Sequence, residues 1–333
     1  MNVLILSRKK MDGIGGLSRL FIELSFHLKA KTYPIYPGNI LHIFRLPLKE
    51  MDLIYLCDST LLFFGVFFKF FLKKPLVLNA HGLDLTYSNP LYQIILKRFI
   101  KRVDLIILDS NPSLKLLNKF KIPPRKIKIV NPGISVAHLN SSSIINLPLK
   151  EKKIFLTTVG NLVPRKGHQW FIEKVLKKLP ENYIYLIVGD GSEKKSIQES
   201  IKKLNFKYRV FLLKHLDHKE LSYVLKNTDI YVSPNLKVKN NFESFGIAAG
   251  EAAALGLPVV ASDVDGISDL IKNNKNGLLV NPNSKAFVKA LRSLENQSSR
   301  YKLGQKAKKF THEKFNWGKT SEEYLQALRA ISL

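Results

Sequence analysis

Short apolar runs rich in Val, Ile and Leu alternate along this chain with longer stretches whose apolar positions recur at helical spacing. That alternation marks parallel βαβ units, in which helices cover both faces of a sheet. In the first half the pattern predicts strands at Val3–Ser7, Leu53–Leu56, Leu76–Asn79, Leu105–Asp109 and Ile127–Val130, with a helix at Leu17–Leu28 after the first. In the second half it predicts strands at Ile154–Val159, Ile184–Val188, Val210–Leu213, Ile230–Val232, Val259–Ala261 and Leu278–Val280. Between the two series, Asn140–Lys150 (NSSSIINLPLK) begins serine-rich and polar, as a linker does. At 333 residues the chain exceeds what one hydrophobic core usually organises. Two doubly wound, parallel-sheet α/β domains are therefore expected, residues 1–147 and 148 onward. No sequence repeat, heptad run or metal-ligand cluster interrupts this reading.

Composition narrows the partners. Lys and Arg total 53 against 26 Asp and Glu, a net charge of +27 spread almost evenly over both halves. Such an excess favours nucleic acid, a membrane surface or a phosphorylated substrate, although compositional drift toward lysine would produce it equally. The single cysteine, Cys57, excludes an internal disulfide and fits a reducing compartment. At the N-terminus Arg8, Lys9 and Lys10 follow the apolar run instead of preceding it, the wrong order for a signal peptide. The longest strongly apolar segment, Leu61–Leu72, is interrupted by Lys69 and falls short of the roughly 20 residues that a spanning helix needs.

The most informative stretch runs from Phe242 to Pro258 (FESFGIAAGEAAALGLP) and on into Val259-Val260-Ala261-Ser262. Ser244, Phe245 and Gly246 lead into an alanine-rich run of strong helix formers, and Gly256-Leu257-Pro258 ends it before an apolar strand candidate. Glu243 thus falls on the loop ahead of a helix and Glu251 inside it. The first turn of that helix, near Phe245, Gly246 and Ile247, offers backbone N–H groups and a positive dipole end, which suit phosphate. The spacing alone carries little, because Glu173 and Glu181 stand equally far apart without such surroundings.

Glu243, Glu251 and the helix opened between them resemble the E-x7-E signature of the retaining family 4 glycosyltransferases of the GT-B fold. The resemblance covers nearly the whole chain. It implies two Rossmann-like domains facing across a cleft, with residues 315–333 forming a closing helix that crosses back to the first domain. Gly13-Ile14-Gly15-Gly16 follows the first strand and opens a helix, letting backbone approach a ligand. A plain turn or a dinucleotide site would read the same, but in the family this loop lies near the donor phosphates and the acceptor, which assigns Gly15 and Gly16. His81, in His81-Gly82-Leu83-Asp84 at the carboxyl edge of its sheet, matches a family histidine that contacts the transferred sugar; for Asp84, helix capping is the competing explanation. Ser110, after Asp109, matches a serine at the cleft. In Gly160-Asn161-Leu162-Val163-Pro164-Arg165-Lys166-Gly167 the family usually places an arginine where Asn161 stands and a lysine at Lys166, and together these clamp the donor diphosphate. Lys166 is expected at the start of the next helix, with Arg165 taking over part of the missing arginine's duty. Gly189, in Val188-Gly189-Asp190-Gly191, matches a glycine turn on the nucleotide side, and Lys237 and Lys239 fall near the expected phosphates.

The implied activity is hexosyl transfer with retained anomeric configuration, from a nucleotide diphosphate sugar to a cell-surface glycan or lipid-linked acceptor. Glu243 would orient the sugar, Glu251 hold the ribose, and Lys166 with the N–H groups of Ser244 to Ile247 hold the phosphates. No cofactor and no metal are expected, because no Asp-x-Asp element is read in the chain and helix N–H groups with Lys166 can carry the diphosphate charge. Leu61–Leu72 (LLFFGVFFKFFL) has apolar residues on every face, so it is buried, docked on a partner or bound to membrane. With Lys69, Lys73 and Lys74 it suggests peripheral contact of the Leu61–Lys74 region with an anionic membrane, on the cytoplasmic face. Two other classes stay open: a nucleotide-sugar epimerase of the same architecture and a basic nucleic-acid-binding protein. The second is disfavoured because aromatic and basic residues are not interleaved and no recognition module is visible, so no nucleic acid is expected as partner.

Overall fold

The computed structural model describes residues 1–8, 16–27, 31–35, 47–141, 143–214 and 216–332. The chain forms two compact units, one comprising Met1–Gly133, Lys239–Phe245 and Phe315–Leu333, the other Ile134–Val238 and Gly246–Lys314. Each is built on a six-stranded, wholly parallel sheet. The alternation of apolar runs and helices therefore has the meaning that the sequence suggests.

The first unit contains β1 (Asn2–Leu6), β2 (Lys31–Ile35), β3 (Leu53–Leu56), β4 (Leu76–Ala80), β5 (Leu105–Leu108) and β6 (Ile127–Ile129), in the order β2-β1-β3-β4-β5-β6. β3, β4 and β5 are buried along their whole length, the behaviour of parallel strands covered on both faces. β2 is absent from the predicted set. Its sequence, KTYPI, carries a proline, which a strand tolerates at the sheet edge, where a missing N–H breaks no central ladder. The strand order reverses direction between β1 and β3, the place where doubly wound sheets receive ligands beyond their carboxyl ends.

The second unit contains β7 (Ile154–Val159), β8 (Tyr183–Val188), β9 (Val210–Leu213), β10 (Ile230–Ser233), β11 (Val259–Ser262) and β12 (Leu278–Val280). Their order, β12-β11-β10-β7-β8-β9, reverses between β7 and β10. The chain passes from one unit to the other between Gly133 and Ile134, upstream of the boundary at 147 expected from the serine-rich stretch. The reason lies in contacts invisible to composition. Ser222 Oγ donates to the Leu139 carbonyl at 2.6 Å, and the Ser143 N–H donates to the Lys219 carbonyl at 3.2 Å, so this segment is tied to the second unit.

The helix Leu62–Leu72 is buried on one face only. Leu62 and Gly65 are buried, and Gly65 lies so close to β3 that a Cβ there would fall 2.6 Å from Leu56 Cδ1. The opposite face leaves Phe63, Phe64, Phe67, Phe70 and Phe71 about half exposed or more, Phe70 at 79%. Lys69 is directed away from the role suggested for it, since its ammonium binds both carboxylate oxygens of Asp104 at 2.6 Å. No helix among the described residues is long and apolar enough to cross a membrane.

Candidate active site

In the second unit the turn after β7 is held against the turn after β8. A Cβ on Gly189, whose φ is +145°, would lie 2.1 Å from the Gly160 carbonyl oxygen, so only glycine allows the two strand ends to approach. The Gly160 N–H donates to the Val188 carbonyl and the Leu162 N–H to the Asp190 carbonyl, both at 2.9 Å. On the other side the Leu236 N–H donates to the Arg165 carbonyl at 2.8 Å. Lys166 ends a 3-10 turn, Pro164–Lys166, and Gly167 in left-handed conformation separates it from the helix starting at His168. It therefore precedes the helix instead of opening it. Its chain folds back over Gly160, with Cε and Nζ 3.4 and 3.7 Å from the position a Cβ would take there. Asn161 is exposed on the same loop and Arg165 is half-buried. His168, buried beneath them, is pushed down to about 3 by burial, with Lys166 adding to the effect, and is thus neutral.

Gly246, left-handed at φ +89°, turns the chain into the helix Ile247–Ala254. The Ala249 N–H of its first turn donates to the Gly246 carbonyl at 2.9 Å, whereas those of Ile247 and Ala248 come too early in the helix to have an acceptor within it. Glu251 lies on the buried side of this helix, only 3% exposed, with its Oε1 3.7 Å from His138 Nε2. The His138 ring meets His218 edge to face at 4.9 Å.

In the first unit, the carboxyl ends of β3, β4 and β5 converge on His81. Its Nδ1 lies 2.5 Å from Asp109 Oδ2 and its Nε2 3.0 Å from the Cys57 carbonyl oxygen. Asn79 Nδ2 also lies 3.4 Å from Nε2, but it donates to Asp109 Oδ1 at 3.0 Å. The shorter contacts of the two ring nitrogens are both with acceptors, which calls for a proton on each and makes the ring an imidazolium. Burial opposes the charge, but the Asp109 carboxylate and its hydrogen bond outweigh burial and, with Asp84 and Asp58, raise the histidine to about 9. Asn79 fixes Asp109: its Nδ2 donates to Asp109 Oδ1 at 3.0 Å, while its Oδ1 accepts from the hydroxyls of Tyr55 at 2.7 Å and Tyr324 at 2.8 Å. Burial keeps both tyrosines and the Cys57 thiol protonated. Asp84, raised to about 6 by burial, accepts from the N–H groups of Ser59 and Leu85, each at 2.8 Å. Ser110 is fully buried, and its hydroxyl pairs with Ser113 at 2.9 Å.

The segment carrying Glu243 belongs to this first unit. Ser244 Oγ accepts the Gly82 N–H at 3.1 Å, Thr86 Oγ1 donates to the Asn240 carbonyl at 3.2 Å, and the Phe242 ring covers Gly82. Phe245 is buried edge to face against Phe315, with centroids 5.5 Å apart.

Thus Asn161, Arg165, Lys166 and Gly189 gather at the strand ends of the second unit, with Gly246, Ile247 and Glu251 on and before its helix. His81, Glu243, Ser244 and Phe245 belong to the first. Of the glycine loop after β1, Gly16 opens the helix Gly16–His27, whereas Gly15 lies outside the described residues. Sequence reasoning did not single out Asn79, Tyr55 or Tyr324, nor Asp109 as the partner of His81. Local pattern holds no trace of partners so far apart along the chain. His138 was missed for the same reason. Asp263 and Asp265 form an Asp-x-Asp sequence after β11, which corrects the reading that the chain has none. Among the described residues no group of three or more His, Cys, Asp or Glu is placed to hold a metal.

Comparison with known proteins agrees with this architecture. The family model described as glycosyl transferases group 1 matches residues 142–310, and that described as glycosyltransferase family 4 matches residues 14–138. An uncharacterized glycosyltransferase of Methanocaldococcus jannaschii is 27% identical over 298 residues, covering 82% of this chain and 74% of its own. The Escherichia coli UDP-Gal:alpha-D-GlcNAc-diphosphoundecaprenol alpha-1,3-galactosyltransferase is 28% identical over 199 residues, covering 56% of this chain and 50% of its own. Among solved structures, Anabaena HepE in complex with UDP superposes with a TM-score of 0.81 at 18% identity, covering 99% of this chain and 100% of that one. The same protein has been solved with UDP-glucose. With two parallel-sheet units of GT-B type and a family match across more than half of its length, the chain belongs to the group 1 glycosyl transferases.

Proposed function

We propose that this chain transfers a hexose from a nucleoside diphosphate sugar to a glycan or lipid-linked acceptor, with retention of anomeric configuration and without a divalent metal. The observation that carries the proposal is the anion-binding array of the second unit. Lys166 folds over Gly160, where the strand ends approach too closely for side chains, and the open first turn of the helix at Ile247 belongs to the same unit. In this reading Lys166, Arg165 and the N–H groups at the start of the helix, Gly246 and Ile247, hold the diphosphate, and Gly189 and Asn161 line its approach. Glu251 holds the ribose and Glu243 orients the sugar. That HepE binds UDP and UDP-glucose supports a uridine donor. The name of the E. coli galactosyltransferase supports a diphosphate-lipid acceptor.

The acceptor hydroxyl attacks the anomeric carbon on the face from which the diphosphate departs. The bond to the diphosphate breaks, the new glycosidic bond forms, and a leaving-phosphate oxygen takes the hydroxyl proton. Catalysis then rests on positioning and on stabilising the departing charge. The state of His81 fits, since an imidazolium with both N–H groups engaged adds positive charge and is no general base. The phenylalanine face of the helix Leu62–Leu72, with Lys73 and Lys74 at its end, is the surface that meets an anionic membrane in this reading.

The test combines two measurements. A thermal-shift panel of UDP, GDP, ADP and their sugars should identify the donor, since a ligand at 100 times its Kd adds roughly 2.7 kcal/mol of stability. The anomeric configuration of the product, read by nuclear magnetic resonance, should match that of the donor. An inverted product, or altered donor sugar without any acceptor, would overturn the proposal.

A further inference from the structure

The turn from His81 to Thr86 is built as a seat. Behind it, His81 is locked by Asp109 and the Cys57 carbonyl, and Asp109 is locked by Asn79, whose amide is oriented by Tyr55 and by Tyr324 from the helix Trp317–Ser332. In front of it sits the segment 240–245. Gly82 has no room for a side chain, because a Cβ would fall 2.0 Å from Phe242 Cδ1 and 2.8 Å from Phe242 Cβ. Its N–H is taken by the Ser244 hydroxyl at 3.1 Å, and Thr86 anchors the Asn240 carbonyl. Glu243 is therefore held on both sides, with Phe242 packed on Gly82 and Ser244 bonded to it, and is itself 8% exposed.

We propose that Phe242 and Ser244 are positioning residues for Glu243. They fix the carboxylate through Gly82, within the first unit. Ser244 accordingly serves through its hydroxyl as an anchor, and its side chain is not a donor ligand. The inference rests on the assignment of Glu243 to the reacting sugar. It adds that the seat governs turnover and leaves donor affinity unchanged. A carboxylate displaced by about 1 Å is expected to lower the rate by up to 100-fold, because reaction demands near-attack geometry.

The experiment measures kcat with saturating UDP-sugar and acceptor, and donor Kd by calorimetry, for Ser244→Ala, Ser244→Thr and Gly82→Ala. Ser244→Ala should lower kcat about tenfold with donor Kd unchanged, and Ser244→Thr, which keeps the hydroxyl, should restore most of the rate. Gly82→Ala should lower kcat on the order of 100-fold, again with donor Kd unchanged, in protein whose circular dichroism matches the wild type. The serine pair decides the matter if the Gly82 variant does not fold. Unchanged kcat in Ser244→Ala, or a donor Kd weakened as much as kcat falls, would overturn the proposal. Glu243→Gln separates the two levels: if it leaves kcat intact, the sugar-orienting role fails. If it abolishes turnover while Ser244→Ala and Gly82→Ala do not affect it, the seat alone fails.

Discussion

The buried imidazolium gives a prediction whose size follows from the structure. His81 is raised from 6.5 to about 9 although burial opposes its charge, chiefly because the Asp109 carboxylate lies 2.5 Å from Nδ1. A group whose pKa is higher folded than unfolded binds its proton more tightly in the native state. Its contribution is complete below about 6.5 and is lost as pH rises through about 9. At 1.36 kcal/mol for each tenfold change in proton affinity, that contribution is ~3 kcal/mol. The first unit should therefore lose about that much stability between pH 6.5 and 9.5, and a His81→Gln variant should not. Trp317 supplies the reporter, being buried on the closing helix against Gly133 of the same unit. Replacing Trp170, which packs edge to face on Phe287 in the second unit, by Phe leaves Trp317 as the only tryptophan. Urea unfolding followed by its fluorescence, at half-unit steps of pH, gives the wild-type minus variant difference directly. A difference that stays flat across this window would show that His81 is neutral and that Nε2 does not donate to the Cys57 carbonyl.

The diphosphate array makes its own demands. Lys166→Ala should weaken donor binding by 1.5–3 kcal/mol, roughly ten- to 100-fold by calorimetry, as expected for the loss of a charge-assisted contact; an unchanged affinity would remove the donor from this loop. Asn161→Arg should tighten donor binding about tenfold if the arginine's place is vacant, whereas flat or weaker binding, with a loss in Arg165→Ala, would mean that Arg165 already fills it. Transfer should survive excess chelator, and activity restored only by magnesium or manganese, and abolished by Asp263→Asn, would assign the Asp-x-Asp sequence after β11 to a metal. Phe67, Phe70 and Phe71 are at least half exposed, so replacing all three by serine should abolish sedimentation with anionic vesicles at low salt and leave the unfolding midpoint unchanged; a large loss of stability would show that these rings are core.

Much of the fold was legible because it depends on local pattern. Continuous apolar runs announce parallel strands, and eleven of the twelve strands among the described residues fall where those runs predict, with ends shifted by a residue or so. Gly246, Ile247 and Glu251 were legible because a left-handed glycine ahead of an alanine-rich run specifies a helix start within a few residues. The strand that escaped, Lys31–Ile35, is an edge strand, where burial no longer forces an apolar run.

What the tertiary structure decided depends on distance along the chain. Tyr324 reaches Asn79 across 245 positions and Gly82 reaches Ser244 across 162, and neither pairing leaves any periodic mark in the sequence. The same holds for the charge of His81. Its residue type permits either protonation state, and only the placement of Asp109 and the Cys57 carbonyl at its two nitrogens selects the cation. Hydrophobic spacing encodes which face of each element is buried, since that is a property of neighbouring residues. Which polar groups then meet at the sheet edge is settled by how the buried faces stack, and that depends on the whole chain at once.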